Sequence, residues 1–133
     1  MASVQIVKNV YEMFGRRDIP GVVATFDPGI EWRLAEGHPY APDGQAWRGP
    51  DAVVRNFFMR AGGEWDRFTV AARDFHDAGD RVVVECRYTG VYKATGKHLD
   101  AQVCHVWKLG NGKITSFQQY IDTAQLRDVM GAR

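Results

Sequence analysis

The side chains of this sequence best suited to proton transfer, nucleophilic attack or metal binding are histidines 38, 76, 98 and 105 and cysteines 86 and 104. No two histidines stand at a helical ligand spacing and there is no cysteine-rich cluster, so no metal is expected. A glycine-rich phosphate loop and a Gly-x-Ser-x-Gly elbow are also missing, and no cofactor is expected. His105 stands out because it alternates with Val103 and Trp107 along an apolar strand face. Desolvation there disfavours the cation and keeps the ring neutral near pH 7. A neutral imidazole can accept a proton from a substrate carbon or donate a hydrogen bond to an enolate oxygen. It can equally be a core histidine satisfied by a neighbour. Cys86 and His105 could pair as nucleophile and base, although no third orienting group is evident and buried thiols are commonly inert. Tyr88 and Gln119 carry polar tips that could orient a carbonyl or hydroxyl ligand, or serve a buried backbone group or water.

The elements that must position these groups can be read from periodicity. Ser3 can cap a first helix running to about Arg16, with Val4, Val7, Val10, Tyr11 and Phe14 as its apolar stripe. Pro20 suits the first turn of a second short helix. Ile30 to Leu34 reads as a strand. There, either Trp32 faces inward and Glu31 and Arg33 are solvated, or Arg33 reaches the cavity mouth. The alternation of Ile30, Trp32 and Leu34 favours the first. Residues 35–50 form a long loop with His38, Tyr40 and Trp47, either a lid or an ordinary packed loop. Asp51 is expected to cap a third helix through Val54, Phe57 and Phe58. Strands follow over about 68–75, 81–92, 98–109 and 113–122. Asp122 then precedes a C-terminal helical segment and reads as its cap.

Alternation also predicts the register. Even positions are apolar from Val82 to Tyr88, and odd ones from Leu99 to Leu109. Opposed residues share a face, so a tight turn at 94–97 is predicted to place Cys86 opposite His105 and Tyr88 opposite Val103. Cys86 and Cys104 then point to opposite faces, which argues against a disulfide. Closing the last hairpin over Gly110-Asn111-Gly112 pairs Leu109 with Lys113, and puts Phe117 opposite His105 and Gln119 opposite Val103. A bulge would shift these rows. The expected lining of a hollow is therefore Cys86, Tyr88, Val103, His105, Trp107, Phe117 and Gln119, with Val10, Phe14 and Phe57 from the helices and Arg33 at the mouth.

A chain of 133 residues, 45% hydrophobic and 25% charged, is read as one domain spanning residues 1–133 with a core large enough to hold a cavity. Its class is α+β, with three helices packed on one face of a curved antiparallel sheet. A formal charge of +1 with signs interspersed offers no basic stripe, so nucleic acid is not an expected partner. No apolar run approaches the roughly 20 residues of a membrane helix, and the first residues lack a signal-peptide pattern. The expected location is cytoplasmic, with reduced thiols.

Three segments carry a family resemblance. The stretch Tyr11–Phe26 (YEMFGRRDIPGVVATF) resembles the two opening helices of the nuclear transport factor 2-like superfamily. The stretch Trp47–Phe57 (WRGPDAVVRNF) resembles its third helix. The tail HVWKLGNGKI from His105, with QYIDT from Gln119, is similar to the closing hairpin of its SnoaL-like and ketosteroid isomerase-like branches. The resemblance implies a cone-shaped, cystatin-like barrel that holds a small apolar molecule and forms a homodimer through the outer sheet face, where Val83, Val106 and Tyr120 lie. It does not imply one activity, because the superfamily includes isomerases, cyclases, dehydratases, epoxide hydrolases and binders.

The family's reactive groups carry over incompletely. The isomerase tyrosine of the first helix matches Val10, with Tyr11 beside it. The general-base aspartate matches Arg33, or Trp32 on another count. The second acid falls on His105, or on Cys104 if counted rigidly from Gly112. The SnoaL-like acid of the last strand falls on Gln119, and the hydrolases' arginine and aspartate fall on Cys86 and Tyr88. Three readings follow: an isomerase, cyclase or lyase using His105 for proton transfer on a carbonyl compound; a non-catalytic binder or scaffold; or a fold with a filled core that serves dimerisation.

Overall fold

The computed structural model describes residues 2–132. Helices α1 (Ser3–Gly15) and α2 (Ile19–Ala24) lead into strand β1 (Phe26–Arg33). A loop and the two-residue β2 (Trp47–Arg48) precede a continuous helical segment made of α3 (Pro50–Val53), a π-helical turn (Val54–Phe58) and α4 (Met59–Glu64). Four long strands follow, β3 (Trp65–Ala78), β4 (Arg81–Tyr92), β5 (His98–Gly110) and β6 (Lys113–Ile121), and α5 (Thr123–Met130) closes the described chain. The six strands form one sheet in the order β2-β1-β6-β5-β4-β3, antiparallel except for the β1–β6 pair. The helices cover the concave face of this curved, open sheet, giving a cone-shaped α+β fold. No helix among the described residues is long and apolar enough to cross a membrane.

Local chemistry explains most of the boundaries. Asp18 caps α2 by accepting from the Gly21 amide at 2.9 Å, and Pro20 occupies the first turn, where its missing N–H costs nothing. Asp122 caps α5 through the Gln125 amide at 3.1 Å, as expected. Two expected caps are corrected. Ser3 is already helical and Ala2 holds the cap position without a side-chain bond, while Gly49 precedes α3 and Asp51 lies in its first turn. Pro50 sets the helical φ directly after Gly49, so the acid is displaced inward, where it still favours the helix dipole.

Both predicted hairpin registers are corrected by two residues without changing faces. β4 and β5 pair Val84 with His105, Cys86 with Val103 and Tyr88 with Ala101, because the turn leaves four residues between Tyr92 and Lys97. In the last hairpin Gly110 pairs with Lys113, so the turn is the two residues Asn111 and Gly112, with φ of 52° and 75°. Positive φ at both positions is the type I′ geometry that matches strand twist. A bulge at Lys108/Leu109 then brings Trp107 opposite Phe117 and His105 opposite Gln119. β3 begins earlier than predicted and is bulged near Arg67, whose φ is 52°. That bulge presses on β4 at Gly90, where an added Cβ would meet the Phe68 Cα at 3.2 Å.

The core fills the cone with aromatic rings. Trp32 stacks on Phe117 at 3.8 Å, and Trp107 packs on Phe117 at 4.6 Å and edge-on to Trp32 at 5.8 Å. Each such pair contributes on the order of 0.5–1.5 kcal/mol beyond its area. In the π-helical turn the Met59 amide reaches back to the Val54 carbonyl. The wider turn holds neighbouring positions closer to one face, so Phe57 and Phe58 are both buried. The outer sheet face carries Val83 paired with Val106 and an exposed Tyr120. Both cysteines are thiols, Cys86 buried and Cys104 half-buried.

Candidate functional site

The inner face of β4, β5 and β6 meets α1 around His105. His105 is buried, and its two ring nitrogens are each engaged by a tyrosine hydroxyl: Tyr11 at Nδ1 and Tyr88 at Nε2, both at 2.6 Å. Trp107 Nε1 donates to the Tyr11 oxygen at 2.9 Å, and Gln119 Nε2 donates to the Tyr88 oxygen at 3.3 Å. The Cys86 thiol lies 3.5 Å from His105 Nδ1 and from the Val84 carbonyl, and Tyr11 is a further hydrogen-bond partner. Five residues from four elements thus form one hydrogen-bonded chain, Trp107–Tyr11–His105–Tyr88–Gln119.

Proton counting gives the chain a direction. Tyr88 receives the Gln119 N–H, so its own proton serves His105 Nε2. The ring proton then sits on Nδ1 and is donated to Tyr11. The Tyr11 proton is left for Cys86, whose thiol reaches the Val84 carbonyl. The opposite tautomer would leave the Tyr88 proton without an acceptor, and a buried unsatisfied hydroxyl costs about 1–3 kcal/mol. Because Tyr11 ends on sulfur, a weak acceptor, its proton is the one a ligand oxygen can take over most cheaply.

Burial sets the charge states. Desolvation pushes the His105 pKa down to about 3, so the ring is neutral and a weak base. It pushes the Cys86 thiol up to about 12 despite the Tyr11 hydrogen bond, so Cys86 is no thiolate near neutral pH. Tyr11 and Tyr88 are both raised by burial and stay protonated. The site is a neutral hydrogen-bonding relay.

The hollow beside it is small. A cavity of about 40 Å³ is lined by Tyr11, Tyr88, His105, Trp107 and Phe117 together with Val10, Phe14, Trp32, Phe57 and Phe58. Gln119 lines a second cavity of about 20 Å³ with His38, Tyr40, Phe57 and Tyr88. The expected roomy hollow is therefore nearly filled, since ligand sites span roughly 300–1,000 Å³. Cys86 and Val103 lie on the inner face without lining either cavity. Arg33 lies outside: its half-exposed side chain pairs with Glu31 at 3.3 Å while Trp32 points in. The alternation that favoured an inward Trp32 decides this, and the cavity-mouth reading of Arg33 falls. A wider, open concavity of about 700 Å³ runs along the sheet past Arg73, Glu85, Gln102 and Tyr120, and neither His105 nor Tyr11 lines it.

Two participants escape the sequence reading. Tyr11 belongs to the apolar stripe of the first helix, which gives its direction but not its bond to His105, 94 residues away. His38 is buried in the loop after β1, where its Nδ1 accepts from the Tyr40 amide at 3.0 Å. Burial, then the nearby Arg60 charge, lowers its pKa to about 4. Two polar atoms inside the core have no partner among the described residues, Trp32 Nε1 and Gln119 Oε1. No cluster of described residues has the composition to hold a metal ion.

Residues 7–117 match the family model of the SnoaL-like domain. An NTF2-like protein of Burkholderia thailandensis E264 is 38% identical over 98% of both chains, with a TM-score of 0.92. An NTF2-like protein of Burkholderia pseudomallei K96243 is 28% identical, covering 99% of this chain and 100% of its own, with a TM-score of 0.87. One from Burkholderia xenovorans LB400 is 27% identical, covering 96% and 94%, with a TM-score of 0.78. No curated protein matches the chain. With the matched domain spanning α1 to β6, the chain belongs to the SnoaL-like family and has the NTF2-like fold.

Proposed function

We propose that the protein binds a small, largely apolar carbonyl compound beside Tyr11 and polarises its oxygen, acting as a cofactor-independent isomerase, cyclase or lyase. The observation that carries this reading is the neutral chain through His105, closed inside an aromatic hollow. Tyr11 receives two N–H donors, from His105 and Trp107, and each strengthens its hydroxyl as a donor. A carbonyl or enolate oxygen that displaces Cys86 from that hydroxyl gains a donor fixed in advance, beside an almost wholly apolar lining. His105 is then a positioning residue. Its low basicity and fully engaged ring count against direct proton abstraction from carbon. No aspartate or glutamate lines the hollow, so the expected gain comes from oxygen polarisation.

The test is turnover of a panel of enones, lactones and β-dicarbonyl compounds. Tyr11→Phe is expected to lower kcat by about 10²–10³-fold, the range for loss of one such donor. Unchanged kcat in that variant, measured on a compound the protein converts, overturns the mechanism.

A second reading has its own support: no acid lines either hollow, which suits a non-catalytic binder, while volumes of about 40 and 20 Å³ suit a scaffold with a filled core. Ligand retention without turnover across the panel would select it. The surface proposed for a second copy of the chain is the outer sheet face with Val83, Val106 and Tyr120. Sedimentation as a monomer at tens of micromolar would remove that proposal.

A further inference from the structure

The smaller internal cavity brings together residues bonded to both buried histidines. Its lining holds His38 and Tyr40 from the loop after β1, Tyr88 from β4 and Gln119 from β6, among apolar side chains. Gln119 is wholly buried; its amide nitrogen donates to Tyr88, while its oxygen has no donor. His38 Nδ1 accepts from the Tyr40 amide, so the ring proton sits on Nε2, where no described group accepts it. An acceptor without a donor and an N–H without an acceptor therefore belong to one lining. The volume of about 20 Å³ is enough for a single water, which needs roughly 10–15 Å³. The Tyr40 and Tyr88 hydroxyls each accept one N–H and keep a lone pair. A water there thus has the about two to four polar partners that retain buried waters.

We propose that one buried water bridges His38 Nε2 and Gln119 Oε1, and that His38 is thereby a positioning residue for Tyr11. The water accepts from His38 and donates to Gln119, and no side chain has to move. Every further link runs the same way: Gln119 to Tyr88, Tyr88 to His105 Nε2, and His105 Nδ1 to Tyr11. Hydrogen bonds aligned head to tail strengthen one another. The His38 proton also fixes their direction. With the Gln119 amide turned round, its N–H and that of His38 would both point at the water, and Gln119 Oε1 would accept from Tyr88. The His105 proton would then move to Nε2, and the Tyr11 hydroxyl would be spent on Nδ1. With the water held by His38, the Tyr11 proton stays available to a ligand oxygen. That last consequence rests on the carbonyl-binding reading above; the bridge itself does not.

Crystals of the unaltered full chain are expected to show one water within about 3.2 Å of both His38 Nε2 and Gln119 Oε1. A dry cavity there overturns the inference without relying on a variant that must fold. The direction is tested through the two nitrogen-15 signals of the His105 ring, whose separation measures the tautomer. His38→Phe removes the N–H and with it a bias of about tenfold, the effect of one buried hydrogen bond. The separation is therefore expected to shrink by about half or more. His38→Gln restores an N–H near the Nε2 position and is expected to restore the separation. No change in His38→Phe, or the same change in both variants, overturns the positioning role. On a compound the chain converts, kcat of His38→Phe is expected to fall about twofold, with the share of molecules whose Tyr11 still donates to the ligand. If the His105 signals shift and turnover does not follow, the bridge and its direction stand and the role of Tyr11 in the carbonyl-binding reading falls.

Discussion

Two histidines are buried in this protein, and they are held in opposite ways. His105 is gripped by residues distant in sequence: Tyr11 from α1, 94 positions away, and Tyr88 from β4, 17 positions away. His38 is held by the amide two residues along its own loop. Around His38 the polar contacts run outward. Tyr40 donates to Glu64 at 2.9 Å and accepts from Trp65 Nε1 at 3.2 Å, and Glu64 pairs with Arg60 at 3.3 Å near solvent. Around His105 they end inside, on Cys86 and on the unpartnered Gln119 oxygen. A network that finishes at the surface needs no ligand to be complete, and it fastens the loop to the end of α4 and the start of β3. A network that finishes on an unsatisfied buried atom is poised for an occupant.

Acid should produce the largest response and should affect both histidines. Each has a folded pKa below the unfolded value of 6.5, about 3 for His105 and about 4 for His38. As pH falls, the unfolded chain takes up the proton first, so stability is full above 6.5 and declines toward the folded values. Between pH 6.5 and 5 each histidine is expected to remove about 2 kcal/mol, from roughly 1.4 kcal/mol per unit of pH. Urea denaturation at the two pH values measures the sum, and His105→Gln and His38→Gln should each remove about half of the pH dependence. A loss traced to only one of them would mean that the other is hydrated in the folded state.

Tyrosine-to-phenylalanine changes separate the two networks with a smaller effect. Tyr88→Phe leaves His105 Nε2 without a partner deep in the core and is expected to cost about 1–3 kcal/mol. Tyr40→Phe frees Glu64 to turn to water and orphans only the buried Trp65 Nε1, against two orphaned groups in Tyr88→Phe, His105 Nε2 and Gln119 Nε2, so its cost is expected near the low end of about 1–3 kcal/mol. Equal losses in thermal denaturation would contradict the distinction between a closed and an open network.

The same contrast explains what could be read from the sequence. Alternation along β4, β5 and β6 placed Cys86, Tyr88, His105, Trp107, Phe117 and Gln119 on one face even though both registers slipped by two residues. A slip of two preserves the face, because side chains alternate with period two. The last hairpin slipped once at its turn and once at the bulge, and parity returned. Tyr11 was on the right helix face, but a partner 94 residues away leaves no mark in local spacing. The π-helical turn was hidden because Val54-Arg55-Asn56-Phe57-Phe58 reads as ordinary helix, and nothing local signals the extra residue. Arg33 was settled by its neighbours, since Ile30 and Trp32 needed the interior more than one guanidinium did. The size of the cavity was out of reach, as it depends on how a dozen aromatic rings fit together.

The smallest effect is the most specific, because it reads proton positions directly. His38 accepts from the Tyr40 amide through Nδ1, so its proton must be on Nε2. For His105 the sequence of donors from Gln119 through Tyr88 fixes the reverse, with the proton on Nδ1 and donated to Tyr11. Nitrogen-15 imidazole spectra at pH 7 should therefore show two neutral rings of opposite tautomer. In Gln119→Met the donor to Tyr88 is gone and nothing holds the direction, so the His105 ring is expected to move toward a mixture while His38 stays unchanged. Two rings of the same tautomer in the unaltered protein would turn the Gln119 amide around and put its nitrogen rather than its oxygen in the hollow.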